Sequence, residues 1–264
     1  MASSLNRKLL ELASEYYISH GSIEQIKIDT SVETLKSRLK SHFGKNILNI
    51  IEFGSYKRDT ILPRQFDELS DVDLMIIFNH SSLQVSPGTY RNYLMKFAEE
   101  RYSRSDVKKS SPTVVLELEH IKYDLVPAYI QENAFYERRT IFIPRNDSNW
   151  MPTDPFGFNT DLTTLNSRHN GNIKRTIRLL KAWNAKTGYP ISSYELEKEI
   201  VGISYWGCSE LEDYFFKAIN DFNIFSPMQQ KIEALKANAL KVKNCLKNLN
   251  SSGALDWLSH ILPT

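Results

Sequence analysis

The stretch SDVDLMIIF, residues 70–78, sets two aspartates at the start of the most apolar run of the chain. The apolar residues that follow Asp73 predict a buried β-strand. Because side chains alternate along a strand, Asp71 and Asp73 project from the same face. Two like charges at the edge of a core repel each other, and a divalent cation bound by their oxygens would relieve that repulsion. A strand that begins in solvent explains the same spacing, so the pair alone leaves both interpretations open.

A third aspartate lies in a second strand-like stretch, IKYDLVPAY at residues 121–129. Asp124 stands there among apolar residues, with Lys122 on the same face. Two acids on one strand beside one acid on another form the arrangement of a two-metal site, in which the metals activate an attacking hydroxyl and neutralise a triphosphate. Asp124 is also a candidate to take the proton from that hydroxyl. Taken alone, Asp124 is more typical of a strand-end acid or of an ion-pair partner for Lys122.

The dipeptide Gly54-Ser55 closes the apolar stretch 47–53, which we expect to form a strand. Glycine lets the backbone approach a phosphate closely, and the Ser55 hydroxyl can donate to the phosphate oxygens. An ordinary turn uses the same two residues. The Gly54-Ser55 dipeptide therefore indicates phosphate binding only when it is taken together with the two acids of the next strand.

The segment 171–186 predicts an amphipathic helix with one basic face. Lys174, Arg178 and Lys181 follow at spacings that place them on that face, with no acid among them. Because like charges repel, a bound polyanion such as a triphosphate would stabilise this face. A plain solvated face has the same pattern.

The next predicted helix opens with Ser193 and Tyr194. Ser193 offers a hydroxyl donor at a helix N-terminus, where anions are favoured. Tyr194 is a candidate to stack on a nucleobase, although a buried aromatic at a helix start is commoner. Together with Asn166, Tyr194 is our candidate for base selection.

The composition is that of an ordinary globular protein of 264 residues, with 41% hydrophobic and 24% charged residues. The net charge of +2 argues against a dedicated nucleic-acid binder, while a local basic face stays open. Two cysteines are too few for a disulfide framework or a zinc site, and no apolar run is long enough to cross a membrane. We therefore expect a cytoplasmic protein that does not engage membranes.

The hydrophobic spacing predicts a first helix over 5–17 and a second over 31–42, with N-cap candidates at 29–31. The proline-rich stretch 127–155 predicts irregular backbone and a domain boundary. We expect residues 1–148 to form a catalytic lobe that includes the N-terminal helices, and residues 149–264 to form a helical, nucleotide-binding lobe. The remaining predicted elements are strands 47–53, 72–78, 113–119 and 121–126, and helices 88–103, 171–186, 193–206, 210–220 and 227–249.

The order Gly54-Ser55, Asp71-Val-Asp73 and Asp124 resembles the nucleotidyltransferase superfamily of DNA polymerase β type. Three further motifs resemble the cyclic GMP-AMP synthase and oligoadenylate synthase-like branch, and within it the bacterial CD-NTases of anti-phage CBASS systems. These motifs are WMPTDPFG (150–157), LNSRHNGNIKRTIRLLKAWN (165–184) and SSYELE (192–197). The resemblance implies an α+β, bilobal, polymerase β-like fold, with a mixed twisted sheet in one lobe and a helical second lobe closing a cleft over nucleotide.

The resemblance also implies a role for each matching residue. Asp71, Asp73 and Asp124 would be catalytic and would hold two Mg²⁺ or Mn²⁺ ions per active site. Ser55, next to Gly54, would hold the donor triphosphate. The nucleotide contacts that it implies in the second lobe are Lys181, Ser193, Tyr194 and, with a weaker match, Arg178. The chain departs from the pattern in its long spacing between Ser55 and Asp71, and it lacks the zinc-ligand cluster of animal cyclic GMP-AMP synthase.

The reaction implied is the joining of nucleoside triphosphates into a cyclic or linear oligonucleotide second messenger, with release of pyrophosphate. An activating or effector protein is a further partner that the resemblance allows. Two alternatives stay open: transfer of a nucleotide to a protein hydroxyl or an RNA 3′ end, and a catalytically silent nucleotide-binding regulator.

Overall fold

The computed structural model describes residues 4–80, 85–103, 105–110, 113–133 and 138–263. None of the helices in these ranges has the length and apolarity needed to span a membrane. The elements in chain order are α1 (Ser4–Glu15), α2 (Ile23–Phe43), β1 (Ile47–Phe53), α3 (Gly54–Lys57), β2 (Asp71–Phe78), α4 (Pro87–Arg101), β3 (Asp106–Ser110), β4 (Thr113–Glu117), β5 (Lys122–Asn133), β6 (Arg138–Pro144), β7 (Trp150–Thr153), α5 (Gly157–Arg168), α6 (Asn172–Lys186), α7 (Ser193–Gly202), α8 (Leu211–Asp221), α9 (Gln229–Lys247) and α10 (Ser251–Ile261).

Backbone contacts divide the chain into two units that alternate along the sequence. The strand unit comprises Ser19–Arg58 and Leu69–Asn159, and the helical unit comprises Met1–Ile18, Asp59–Glu68 and Thr160–Thr264. This division differs from the single boundary between residues 148 and 149 that the sequence predicts. It differs because α1 and the segment 59–68, which we call the arm, contribute apolar side chains to the core of the helical unit.

The strand unit is built on one sheet whose described strands run in the order β1-β2-β5-β4-β3. β2 and β5 are parallel, whereas their outer neighbours pair antiparallel. This is the mixed sheet that the sequence predicts. Apolar side chains of Met75, Ile77, Ala128 and Ile141 form a core cluster in this unit.

The region 127–155 is more regular than its prolines suggest. β5 runs through Pro127 and pairs with β6 from Tyr129 onward, and β6 pairs in turn with β7. Pro152 lies in β7, whose only described partner is β6, so its missing N–H faces no second strand. The prediction of irregular backbone here is therefore wrong, because edge strands tolerate proline.

The second helix begins earlier than predicted, at Ile23, after the N-cap Ser22. Thr30 and Ser31, expected near the cap, lie inside α2, where their hydroxyls donate to main-chain carbonyls one turn earlier. Hydroxyl side chains serve caps and helix interiors in this way, so the sequence signal for the start was misplaced.

The helical unit packs α1 against α6 and α8, and α9 against α8 and α10. The arm joins this core through Leu62, which is fully buried, and through Phe66, whose ring contacts Tyr16 edge-on. The side chain of Tyr189 donates to Asp67 of the arm at 2.7 Å. The arm is thus a structural part of the helical unit rather than a loop of the sheet.

Replacing Leu62 by alanine should lower the free energy of unfolding by about 2–5 kcal/mol, because it opens a cavity in this core. Urea denaturation followed by circular dichroism measures the loss. The control is Leu240→Ala on α9, where the side chain is 57% exposed; it should change stability by no more than about 0.5 kcal/mol. Equal effects of the two substitutions would show that the arm does not contribute to the core.

Candidate active site

The three predicted aspartates lie on two adjacent strands of the strand unit. Asp71 and Asp73 are on β2, and Asp124 is on the parallel neighbour β5, in register with Asp73. Residues paired across neighbouring strands project from the same face, so Asp73 and Asp124 are side by side. The tertiary structure therefore brings together the acids of two separate sequence motifs.

Gly54 makes room for one of these carboxylates. It follows β1, whose last residue Phe53 pairs with Asp73, and its φ of +74° lies in the left-handed region. A Cβ atom at Gly54 would stand 1.6 Å from Oδ2 of Asp73. Only glycine can occupy this position without moving Asp73, which explains the Gly-Ser motif more specifically than a turn does.

Asp124 is a partly buried acid of this site. Thr113 on β4 donates to its Oδ2 at 3.4 Å, whereas Oδ1 is buried and has no hydrogen-bond partner among the residues that the structure describes. Burial and, second, the nearby charge of Asp71 raise the pKa of Asp124 to about 6. An acid in this state suits proton transfer or cation binding. Thr113 was not predicted as a site residue, and no sequence pattern marks it.

Lys122 is the cation of this site. Its register partner on β2 is Asp71, and its ammonium nitrogen lies 3.4 Å from Oδ2 of that residue. The sequence suggested Lys122 as a partner of Asp124, but the pairing across the strands gives it to Asp71. The ion-paired carboxylate of Asp71 on β2 and the partly buried carboxylate of Asp124 on β5 thus lie two register positions apart.

The oxygen donors fit a hard divalent ion such as Mg²⁺ or Mn²⁺. The buried Oδ1 of Asp124 lacks a protein donor, and a cation would satisfy it. Among the residues that the structure describes, no three His, Cys, Asp or Glu side chains form a complete metal-binding cluster. The fit therefore rests on the chemistry of the donors and on the orphaned oxygen.

The basic face of α6 in the helical unit does have acidic partners. Lys174 pairs with Asp59 of the arm at 2.9 Å, and Lys181 pairs with Glu197 of α7 at 3.5 Å. No acid lies among these cations along the helix, as the sequence shows, and their acidic partners come from segments distant in sequence. Each charge is neutralised within the unit.

Arg178 is buried on the same helix and contacts main-chain carbonyls. Its guanidinium donates to the carbonyl oxygens of Ala13 and Asp59, and it lies 4.6 Å from the ring centre of Tyr17. Burial lowers the pKa of Arg178 to about 10. These contacts join α1 and the arm to α6, which is a structural role. A nucleotide contact by Arg178 stays a prediction.

The other predicted nucleotide contacts of the helical unit differ in environment. Oδ1 of Asn166 accepts the main-chain N–H of Lys174, so this side chain holds the turn before α6. Ser193 is the first residue of α7, directly after its N-cap Ser192. Tyr194 is 51% exposed, and its ring could therefore stack on a base. All three assignments stay predictions.

Gly54→Ala should destabilise the strand unit and displace Asp73. The matched control is Gly21→Ala, because Gly21 has a φ of +76° but nothing within 4 Å of an added Cβ. Both variants incur about 1–2 kcal/mol of backbone strain. Overpacking against Asp73 should cost Gly54→Ala at least about 1 kcal/mol more. Thermal unfolding measures the difference, and equal losses would contradict the contact.

Glu197→Gln should lower the free energy of unfolding by about 3–5 kcal/mol, because it leaves the buried charge of Lys181 uncompensated. The side chains of Lys181 and Glu197 are 4% and 1% exposed, and Thr60 of the arm also donates to Glu197. The control is Asp221→Asn, which removes the partner of Lys217 in a more exposed pair on α8 and should cost at most about 1 kcal/mol. Denaturant titrations compare the two, and a loss at Glu197 no larger than at Asp221 would refute the burial argument.

Comparison with known proteins assigns this architecture. A family model for the Second Messenger Oligonucleotide or Dinucleotide Synthetase domain (SMODS) matches residues 4–166. A probable cyclic nucleotide synthase of Bacillus cereus is 26% identical over 199 residues, which cover 61% of this chain; the match spans 56% of the length of that relative.

Two solved structures share the fold. The Bradyrhizobium diazoefficiens CD-NTase CdnG, in complex with GTP, has a TM-score of 0.70 and 11% identity, with 98% of this chain and 99% of that chain covered. The Vibrio cholerae DncV cyclic AMP-GMP synthase, in complex with the linear intermediate 5′ pppA(3′,5′)pG, has a TM-score of 0.66 and 15% identity, with 99% and 82% covered. The predicted α+β, polymerase β-like fold class is confirmed.

The family match covers Gly54, which follows β1, and the strands β2 and β5 that carry Asp71, Asp73 and Asp124. The resemblance inferred from those residues is therefore confirmed, and the chain belongs to the Second Messenger Oligonucleotide or Dinucleotide Synthetase family.

Proposed function

We propose that this protein is a nucleotidyltransferase that joins nucleoside triphosphates into a cyclic or linear oligonucleotide second messenger and releases pyrophosphate. The observation that carries the proposal is the placement of Asp73 against Gly54 and beside Asp124 in a member of this family. A role in anti-phage signalling belongs to the same proposal.

Asp71, Asp73 and Asp124 would hold the divalent ions, two Mg²⁺ or Mn²⁺ per active site. Family membership implies use of a divalent metal in general. When bound, the metal would favour the attacking alkoxide and neutralise the triphosphate. The close approach of Gly54 fixes where the carboxylate of Asp73 lies, so this glycine would act as a positioning residue.

Asp124 would orient the attacking hydroxyl and accept its proton at Oδ1. The hydroxyl oxygen would form a bond to the α-phosphorus of the donor while the bond to the bridging oxygen breaks and pyrophosphate leaves. The buried, unpartnered Oδ1 and the raised pKa of Asp124 support this role, because a base near neutral pKa both accepts and returns a proton. Thr113 would keep the carboxylate oriented through Oδ2.

Ser55, directly after Gly54, would donate its hydroxyl to the donor triphosphate. In the helical unit, Ser193 would contribute a second hydroxyl and Tyr194 a stacking surface for a base. The exposure of Tyr194 supports this assignment. Lys181 would contact triphosphate only if the ammonium group leaves Glu197, since the two are buried together.

The test is incubation with α-labelled nucleoside triphosphates and Mg²⁺ or Mn²⁺. Wild type should form a phosphatase-resistant, small product, and the Asp71→Asn/Asp73→Asn variant should form none, because the metal-binding charges are gone. Asp106→Asn, at the exposed start of β3 in the same sheet, is the matched control and should retain activity. Chelation with EDTA should abolish product formation.

Equal product from wild type and the double variant would overturn the proposal. Label retained on protein or RNA would instead assign the transfer to a macromolecular acceptor. If purified wild type is silent, calorimetry of metal-dependent triphosphate binding, compared with the double variant, tests the site without turnover.

A further inference from the structure

The ion pair between Lys122 and Asp71 lies on the same face of the sheet as the proposed metal ligands. The ammonium of Lys122 lies 3.4 Å from Oδ2 of Asp71, while two register positions along the strands Asp73 pairs with Asp124. The ammonium group of Lys122 on β5 is therefore paired with the Asp71 carboxylate, which a divalent ion would need as a ligand.

The Lys122 side chain is held in place rather than solvated. It is 17% exposed, and Asp71 is 29% exposed, so the charge of the ammonium is only partly screened by water. The register across the parallel strands fixes the two residues opposite each other. The cation therefore acts on the site in every molecule, unlike a mobile surface lysine.

The contact is also loose enough to be exchanged. A strong ammonium–carboxylate hydrogen bond is about 2.7–2.9 Å long, and the Lys122–Asp71 separation exceeds this range. On the other side of β5, Lys122 is in register with Glu117 of β4, a carboxylate one strand away. The ammonium thus has an acidic neighbour on each flanking strand.

Resting on the proposed function, we propose that the ammonium of Lys122 competes with the divalent metal for the carboxylate of Asp71. Lys122 is then a positioning residue, because this competition sets the metal concentration that the enzyme needs. In the absence of metal, its charge offsets the repulsion among Asp71, Asp73 and Asp124. When a divalent ion binds, the ammonium gives up Asp71 and moves toward Glu117. Because binding free energies are reciprocal, the ion pair weakens metal binding by the amount that the metal weakens the ion pair.

The experiment measures Mn²⁺ affinity of the full chain directly, by electron paramagnetic resonance of the free ion, without nucleotide or turnover. Lys122→Met and Lys122→Gln both remove the charge and keep a straight side chain one heavy atom shorter, so one serves if the other fails to fold. Each should lower the Kd for Mn²⁺ about tenfold. Lys122→Arg keeps the charge and should stay within about twofold of wild type.

A control separates this contact from the general charge of the strand unit. Lys96→Met removes one positive charge from α4, where Lys96 is 74% exposed and pairs with Glu100 rather than with Asp71 or Glu117. Its Kd should stay within about twofold of wild type. If the two neutral Lys122 variants bind Mn²⁺ as wild type does, or more weakly, the competitor role is overturned.

Asp73→Asn distinguishes this failure from failure of the proposed function. Loss of Mn²⁺ binding in Asp73→Asn, with no change in the neutral Lys122 variants, rejects Lys122 as a competitor and keeps the metal site. Unchanged Mn²⁺ binding in Asp73→Asn rejects the metal site and, with it, the role of Lys122.

Discussion

Electrostatic repulsion among three carboxylates is the constraint on which the strand unit depends. The parallel register of β2 and β5 sets Asp73 beside Asp124 and Asp71 beside Lys122, within a sheet whose interior is apolar. Like charges this close are stable only when something offsets them. The structure supplies one ammonium, a raised pKa at Asp124, and oxygen donors suited to divalent ions. The binding of divalent cations proposed for the site follows from this excess of negative charge.

In the helical unit, the charges that need partners are the cations of α6. Each cation on the inner face of α6 has a partner within the unit: Asp59 for Lys174, main-chain carbonyls for Arg178 and Glu197 for Lys181. All three partnerships involve the arm, since Asp59 supplies the carboxylate for Lys174 and a carbonyl oxygen for Arg178, and Thr60 also donates to Glu197. The unusually long spacing between the Gly-Ser motif and the first aspartate is thus used to build the helical unit.

The structure brings the three predicted acids together on neighbouring strands, whereas the contacts of other predicted residues depend on partners from elsewhere in the chain. Asp71, Asp73 and Asp124 are acids beside apolar residues, where a charge is costly to bury, and the three together with the family resemblance made them candidates. Thr113 and the Lys122–Asp71 pair depend on which strands are neighbours, and that information is not local. The edge position of Pro152 was missed for the same reason, whereas the start of α2 at Ile23 was missed because hydroxyl residues occur both at caps and inside helices.

By itself, the sequence determined the order of the motifs, the strands that carry the acids, and the family resemblance that the comparisons confirm, because these depend on residue type and local periodicity. Only the tertiary structure decided that position 54 must be glycine because Asp73 lies against it. It also decided that Lys122 pairs with Asp71 and that the arm belongs to the helical core. Contacts between residues far apart in the chain are set by strand register and side-chain packing, which no local pattern encodes.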